Sequence, residues 1–152
     1  METAGNREIR ATKSFKVPLN LMWDAWSKAE HIPHWFGPNG FTCKVHIMDF
    51  TEGGEWNLTL HGADGNDFEN RSMFREIIPF RKIVAEHVKL HVITTVLFEF
   101  SNEETHLDWS LEFDTAEMRD AAVNVYHAEQ GQLESIDRLE KYVAKLLTND
   151  SQ

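Results

Sequence analysis

The chain of 152 residues predicts a single α+β domain spanning 1–152, in which one curved antiparallel sheet wraps around a long C-terminal helix. Two observations predict it. Between Phe41 and Asp114 apolar and polar residues alternate. The pattern is most regular in Glu104 to Asp114, where Leu107, Trp109, Leu111 and Phe113 share one side and His106, Asp108, Ser110 and Glu112 the other. Beyond Asp114 the period becomes helical, and Leu133, Ile136, Leu139, Val143, Leu146 and Leu147 form an apolar stripe. A sheet with one wet face has to cover its other face. The final helix is the only long amphipathic element in the sequence able to do so.

The elements follow in order. Ile9, Ala11 and Phe15 at even spacing make Arg7 to Lys16 a strand. Pro18 suits the first turn of a helix, where its missing N–H has no partner to lose, and Leu21, Met22, Ala25 and Trp26 carry that helix to about Lys28. Pro33, Gly37, Pro38 and Gly40 then turn the chain. Five further strands are expected over Phe41 to Phe50, Glu55 to His61, Asp67 to Ile78, Arg81 to Val88 and Val92 to Phe100, before the strand that opens at Glu104. Gly53-Gly54, Asp64-Gly65-Asn66, Pro79 and Ser101-Asn102-Glu103 separate them. Asp114-Thr115-Ala116-Glu117 has the form of a capping box, with Asp114 as the cap. Met118, Ala121, Ala122 and Val125 mark one face of a short helix, which Gly131 is expected to interrupt before the final helix begins.

The formal net charge of −10 argues against nucleic acid or an anionic membrane as partner, since both need Lys/Arg surfaces. No stretch approaches the ~20 apolar residues of a membrane span. A single cysteine, Cys43, rules out an intrachain disulfide, and the polar first residues carry no apolar signal, so a reducing cytoplasm is the expected compartment.

The motifs Pro18-Leu19-Asn20-Leu21-Met22-Trp23-Asp24-Ala25-Trp26, Trp35-Phe36-Gly37-Pro38, Asp49 with Gly53-Gly54-Glu55-Trp56, and Glu76-Ile77-Ile78-Pro79 occur in this order along nearly the whole chain. In that order and spacing they resemble the START/SRPBCC superfamily, and within it the branch named for the C-terminal domain of the activator of heat-shock protein 90 ATPase. The resemblance implies a seven-stranded helix-grip fold with a hydrophobic cavity between sheet and C-terminal helix. It does not imply one function, because members bind lipids or other apolar molecules, act as cyclases, or assist a chaperone. One departure is Gln132 directly after Gly131, where the family often has a bulky aromatic; it changes one wall of the cavity.

Trp35, Phe36, Trp56, Phe74, Phe98 and Trp109, with Leu133 and Ile136 from the final helix, are the candidate ligand-binding residues, because small-molecule pockets are built mainly from apolar and aromatic groups. Core packing is the competing reading for each. Trp35-Phe36 stands apart, since it sits in a Pro/Gly-rich connection and suits a rim or lid. His31-Ile32-Pro33-His34 has ligand-like spacing, but Pro33 spoils a regular helix there and no Cys or acidic partner completes a set, so no metal or cofactor is expected. No Gly-x-Ser-x-Gly elbow is present, Cys43 has no adjacent base, Asp49 fits a turn at a strand end, and no helix follows Gly53-Gly54 to make a phosphate loop. The expected function is therefore binding of a small hydrophobic or amphipathic molecule, by a monomer or homodimer. A chaperone-activating interaction domain and a cyclase- or hydrolase-type enzyme are the alternatives. An enzyme would need a polar pair facing inward among apolar walls, and none is evident in the sequence.

Overall fold

A computed structural model describes residues 7–150. Its elements are β1 (Glu8–Phe15), α1 (Leu19–Ser27), a 3-10 turn (Ile32–His34), β2 (Thr42–Met48), β3 (Glu55–His61), β4 (Asp67–Ile78), β5 (Lys82–His87), β6 (Ile93–Ser101), β7 (Glu104–Glu112), α2 (Ala116–Asn124) and α3 (Ala128–Asp150). The strands form one seven-stranded sheet in the order β1-β7-β6-β5-β4-β3-β2. Every neighbouring pair is antiparallel. Bulges between Val45 and Ile47 and between Phe74 and Glu76 add local bend and twist on one half of the sheet.

Turn chemistry sets the strand register. Asn102 and Glu103 both have positive φ, as the two central residues of a two-residue hairpin whose twist matches its strands, and Ser101 pairs with Glu104 across it. In the β3–β4 turn the Asp64 carboxylate accepts from Asn66 N at 3.0 Å, and Gly65 supplies the left-handed residue.

The concave face is filled by Ile83, Ala85, Val96, Phe98, Leu107 and Trp109 from the sheet, by Met22, Ala25 and Trp26 of α1, and by Ile136, Leu139 and Val143 of α3. The apolar stripe of α3 lies one position away from where hydropathy alone puts it. Leu133 is 56% exposed, whereas Gln132 and Ser135 are buried. The cause is a polar seam between α3 and the connection before β2. Ser135 Oγ accepts from Gly37 N and donates to Trp35 O, both at 3.2 Å. Arg138 Nη1 donates to the carbonyls of Gly37 and Pro38 at 2.8 and 3.0 Å. Gln132 Nε2 donates to Trp109 O at 3.0 Å, tying the same helix to β7. Hydrogen bonding of buried polar groups thus orients the first turns of α3, and apolar burial takes over from Ile136 onward.

Two further expectations are corrected. Gly131 does not interrupt the helix; the break falls at Val125 to His127, where His127 takes a positive φ, and Gly131 N donates to His127 O inside the first turn of α3. The glycine is there for close approach, because a Cβ on it would stand 3.2 Å from Pro38 Cγ. The cap of α2 is Thr115, not Asp114: its hydroxyl accepts from Met118 N at 3.1 Å. None of the nine residues of α2 is buried, so the face marked by Met118, Ala121 and Ala122 covers the sheet only loosely. No described helix is long and apolar enough to cross a membrane.

Candidate functional site

Where the concave face runs past the start of α3, the side chains leave a pocket of about 400 Å³. Its apolar walls come from the inward positions of β3 and β7, namely Trp56, Leu58, Leu60, Trp109 and Leu111, and from Phe36 and Phe113. Ala122, Tyr126 and Ala128 close it on the helical side, and Leu90 and Val92 of the β5–β6 connection on the other. A narrower recess of about 170 Å³ shares Phe36 and Trp109 and reaches Gly131, Gln132 and Ser135.

The aromatic wall is stiff because it is stacked from behind. Trp56 lies parallel to Phe74 with ring centroids 5.3 Å apart, and Phe36 packs on both Trp56 and Trp109 at 5.6 and 6.2 Å. Trp109 meets Trp26 edge-on at 5.1 Å. The indole N–H groups of Trp56 and Trp109 and the amide oxygen of Gln132 are enclosed and have no hydrogen-bond partner among the described residues.

Three of the eight residues expected from sequence, Phe36, Trp56 and Trp109, come together on this wall. The others do not line the pocket. Trp35 is neither rim nor lid: it is fully enclosed, and its Nε1 donates to Ala25 O at 3.0 Å. Phe74 backs Trp56, and Phe98 lies at the far end of the core against Trp23, 5.0 Å away. Ile136 packs in the core, and Leu133 faces out. A 23-residue helix presents only its apolar edge to the sheet, and α3 contributes just its first residue, Ala128, to the main pocket.

Sequence reasoning missed a polar wall. Asn70, Ser72, His87 and Thr94 line the same pocket. Register explains their placement: Trp56 pairs with Ser72 and Ser72 with His87, while Leu58 pairs with Asn70 and Ala85 with Thr94. Asn70 and Ser72 share parity with the buried Phe74, which is the one signal that could have found them. Burial lowers the pKa of His87, with the charges of Lys89 and His91 acting in the same direction, so the ring is neutral at pH 7. No hydrogen bond joins Ser72 to His87, so they do not form a nucleophile–base pair.

Other reactive side chains lie elsewhere. Ser14 Oγ is 2.6 Å from His106 Nδ1, and Ser101 Oγ is 2.8 Å from its Nε2, on the outer face of the sheet. That face carries an open groove of about 460 Å³ with Arg81, Lys82, Glu99 and Asp108 along it, a solvated surface in character. His31 Nδ1 lies 2.6 Å from Tyr142 Oη and His34 stacks on the same ring at 5.0 Å, so both histidines fasten α3. Among the described residues, no three His, Cys, Asp or Glu side chains are grouped to hold a metal ion. Asp49 serves a turn: its backbone oxygen accepts from Thr51 N at 2.8 Å and its carboxylate from Thr51 Oγ1 at 3.1 Å. Burial pushes the Cys43 thiol up to about 11, with Arg138 opposing the shift, so the sulfur is unreactive at neutral pH.

A curved seven-stranded antiparallel sheet gripping a long C-terminal helix defines a helix-grip domain of the START/SRPBCC class. Within that class, the family model described as Activator of Hsp90 ATPase homolog 1-like protein matches residues 16–144, and the chain belongs to that family. No curated protein matches the chain. Among solved structures, a protein from Nitrosomonas europaea is 18% identical with a TM-score of 0.85, over 96% of this chain and 99% of its own. One from Arthrobacter aurescens is 17% identical with a TM-score of 0.86, over 95% and 90%. DynU16, a protein of the dynemicin biosynthetic locus, is 17% identical with a TM-score of 0.69, over 91% of this chain and 47% of its own. These likenesses show the fold.

Proposed function

We propose that the protein binds a small hydrophobic or amphipathic molecule in the pocket between the β3–β7 face, α2 and the start of α3. The observation that carries this reading is the pocket itself. About 400 Å³ is left open beside Phe36, Trp56 and Trp109, next to a core in which Trp26, Trp35, Phe15 and Phe74 are fully buried. A natively packed interior leaves few voids larger than a water molecule, so a space of this size is a feature of design and not of loose packing. Titration with Nile red, an uncharged environment-sensitive dye, tests it. The expected result is a saturable blue-shifted emission that Ala122→Trp abolishes, since Ala122 is on the pocket wall in a helix without buried residues. A folded, monodisperse sample that leaves the dye unchanged would overturn the reading.

A second reading, an interaction domain that assists a chaperone, is supported by the family's description. Stimulation of a heat-shock protein 90 ATPase by the purified domain is the measurement that would favour it.

A further inference from the structure

We infer that the bound molecule is an uncharged ring compound bearing a hydroxyl or carbonyl oxygen, held by its ring against Trp56 and Trp109 and by its oxygen against a donor on His87. This deepens the binding function proposed above and rests on it.

The inference starts from the hydrogen bonds of His87. Its Nδ1 accepts from the backbone N–H groups of Lys89 and Leu90, at 3.2 and 3.1 Å. An acceptor nitrogen carries no proton, so in the neutral ring the proton is on Nε2. That N–H is the ring's one donor, and it has no partner among the described residues. The β5–β6 connection therefore fixes both the tautomer and the orientation of a side chain that lines the pocket. The hydroxyls of Ser72 and Thr94 and the amide of Asn70 line the same wall, and they too have no hydrogen-bond partner among the described residues. Three half-buried polar side chains without a hydrogen-bond partner among the described residues, and a fourth, His87, whose Nε2–H has none, amount to a surface made for hydrogen bonding to something else.

Charge narrows the class. Among the described residues, no Asp, Glu, Lys or Arg lines the pocket. A carboxylate or an ammonium would enter a partly apolar space without a counter-ion, which is costly. A hydroxyl or carbonyl can accept from His87 and exchange hydrogen bonds with Ser72 without that penalty. Phe36, Trp56 and Trp109 line the same pocket, with Trp56 the cross-strand neighbour of Ser72, and their aromatic rings favour a flat ring.

Calorimetry with naphthalene, 2-naphthol and 2-naphthoate at pH 7.5, on wild type and on His87→Phe, tests the inference. Net hydrogen bonds of this kind change binding by about 3- to 10-fold. The expected result is that 2-naphthol binds tighter than naphthalene by about that factor, although it is the less hydrophobic molecule, and that naphthoate binds no tighter than naphthalene. His87→Phe should erase the preference for naphthol over naphthalene, read as the ratio of their affinities in the same variant. If that variant fails to fold by circular dichroism, Ser72→Ala and Thr94→Val should each reduce the preference. Equal binding of naphthol and naphthalene, tighter binding of naphthoate, or an unchanged preference in the variants overturns the inference while leaving a binding pocket in place. Failure of all three compounds and of Nile red overturns the binding function itself.

Discussion

The backbone oxygen of Asp49 occupies the space that a side chain on Gly54 would need. A Cβ on that glycine would overlap the oxygen and stand 2.8 Å from the Asp49 carboxyl carbon. The same turn ties β3 to β4, because Phe74 N donates to Gly54 O at 2.9 Å and Gly53 N to Phe74 O at 2.8 Å. Gly54→Ala therefore has to displace the Asp49 backbone in a turn that is tied to Phe74 of the aromatic wall. The expected cost is about 3 kcal/mol, read as a lower denaturant midpoint with unchanged slope. Gly53→Ala, with nothing within 4 Å of its Cβ but a φ of 87°, should cost less, about 1 kcal/mol.

The placement of the α3 stripe predicts a contrast. Leu139 is fully buried and Leu133 is 56% exposed. Leu139→Ala should cost about 2–5 kcal/mol, as for other core truncations. Leu133→Ser should change stability by less than about 0.5 kcal/mol, as surface substitutions do. Equal costs for the two would refute this orientation of the helix.

Cys43 should react slowly. With its pKa near 11 against an ordinary 9.0, the thiolate fraction at pH 8 falls about 100-fold. Labelling by iodoacetamide in native buffer should lag labelling in guanidinium by that order. The linkage runs toward instability at high pH. The native thiol holds its proton more tightly than the unfolded one, so stability is intact below pH 9 and declines as pH rises towards 11.

His87 gives the opposite dependence. Its folded pKa lies below the ordinary 6.5, mainly through burial, with Lys89 and His91 adding to it; Glu86, bonded to His91 and Arg75, is the nearest acid on that segment. The unfolded chain takes up the proton first on acidification, so this contribution to stability is present above pH 6.5 and is lost as pH falls through the native value. Protonation of Nδ1 also breaks the two backbone hydrogen bonds that shape the Leu90 rim. A ring-proton NMR titration should show a midpoint below 6.5 for His87, and nitrogen shifts of the Nε2–H tautomer at pH 7.5.

Much of this was legible in the sequence. The strand order of burial follows from alternation because the period of a strand is two, and β3 and β4 fall where Glu55 to His61 and Asp67 to Ile78 place them. The pocket was only partly legible. A hydrophobic stripe marks what is buried, not what it is buried against, so Trp35 and Trp56 look alike in sequence although one is sealed in the core and the other faces open space. His87 and Ser72 were missed because polar residues on an inward face break the very alternation used to find that face. The seam of Gln132, Ser135 and Arg138 was missed for a related reason: its partners are backbone groups 23 residues away for Gln132 and 100 and 101 away for Ser135 and Arg138, which leave no mark in local hydropathy.

The pairing of β1 with β7, which joins Glu8 to Glu112, also has a kinetic consequence. During synthesis at about 5–20 residues per second, β1 would leave the ribosome several seconds before β7, its neighbour in the sheet among the described residues. It waits as a free edge with Ile9 and Phe15 uncovered. Arg10 on the opposite side and Lys13 between the two apolar residues act meanwhile as gatekeepers against premature association. A pairing of such long sequence separation raises the contact order, which slows folding relative to a domain built on local contacts.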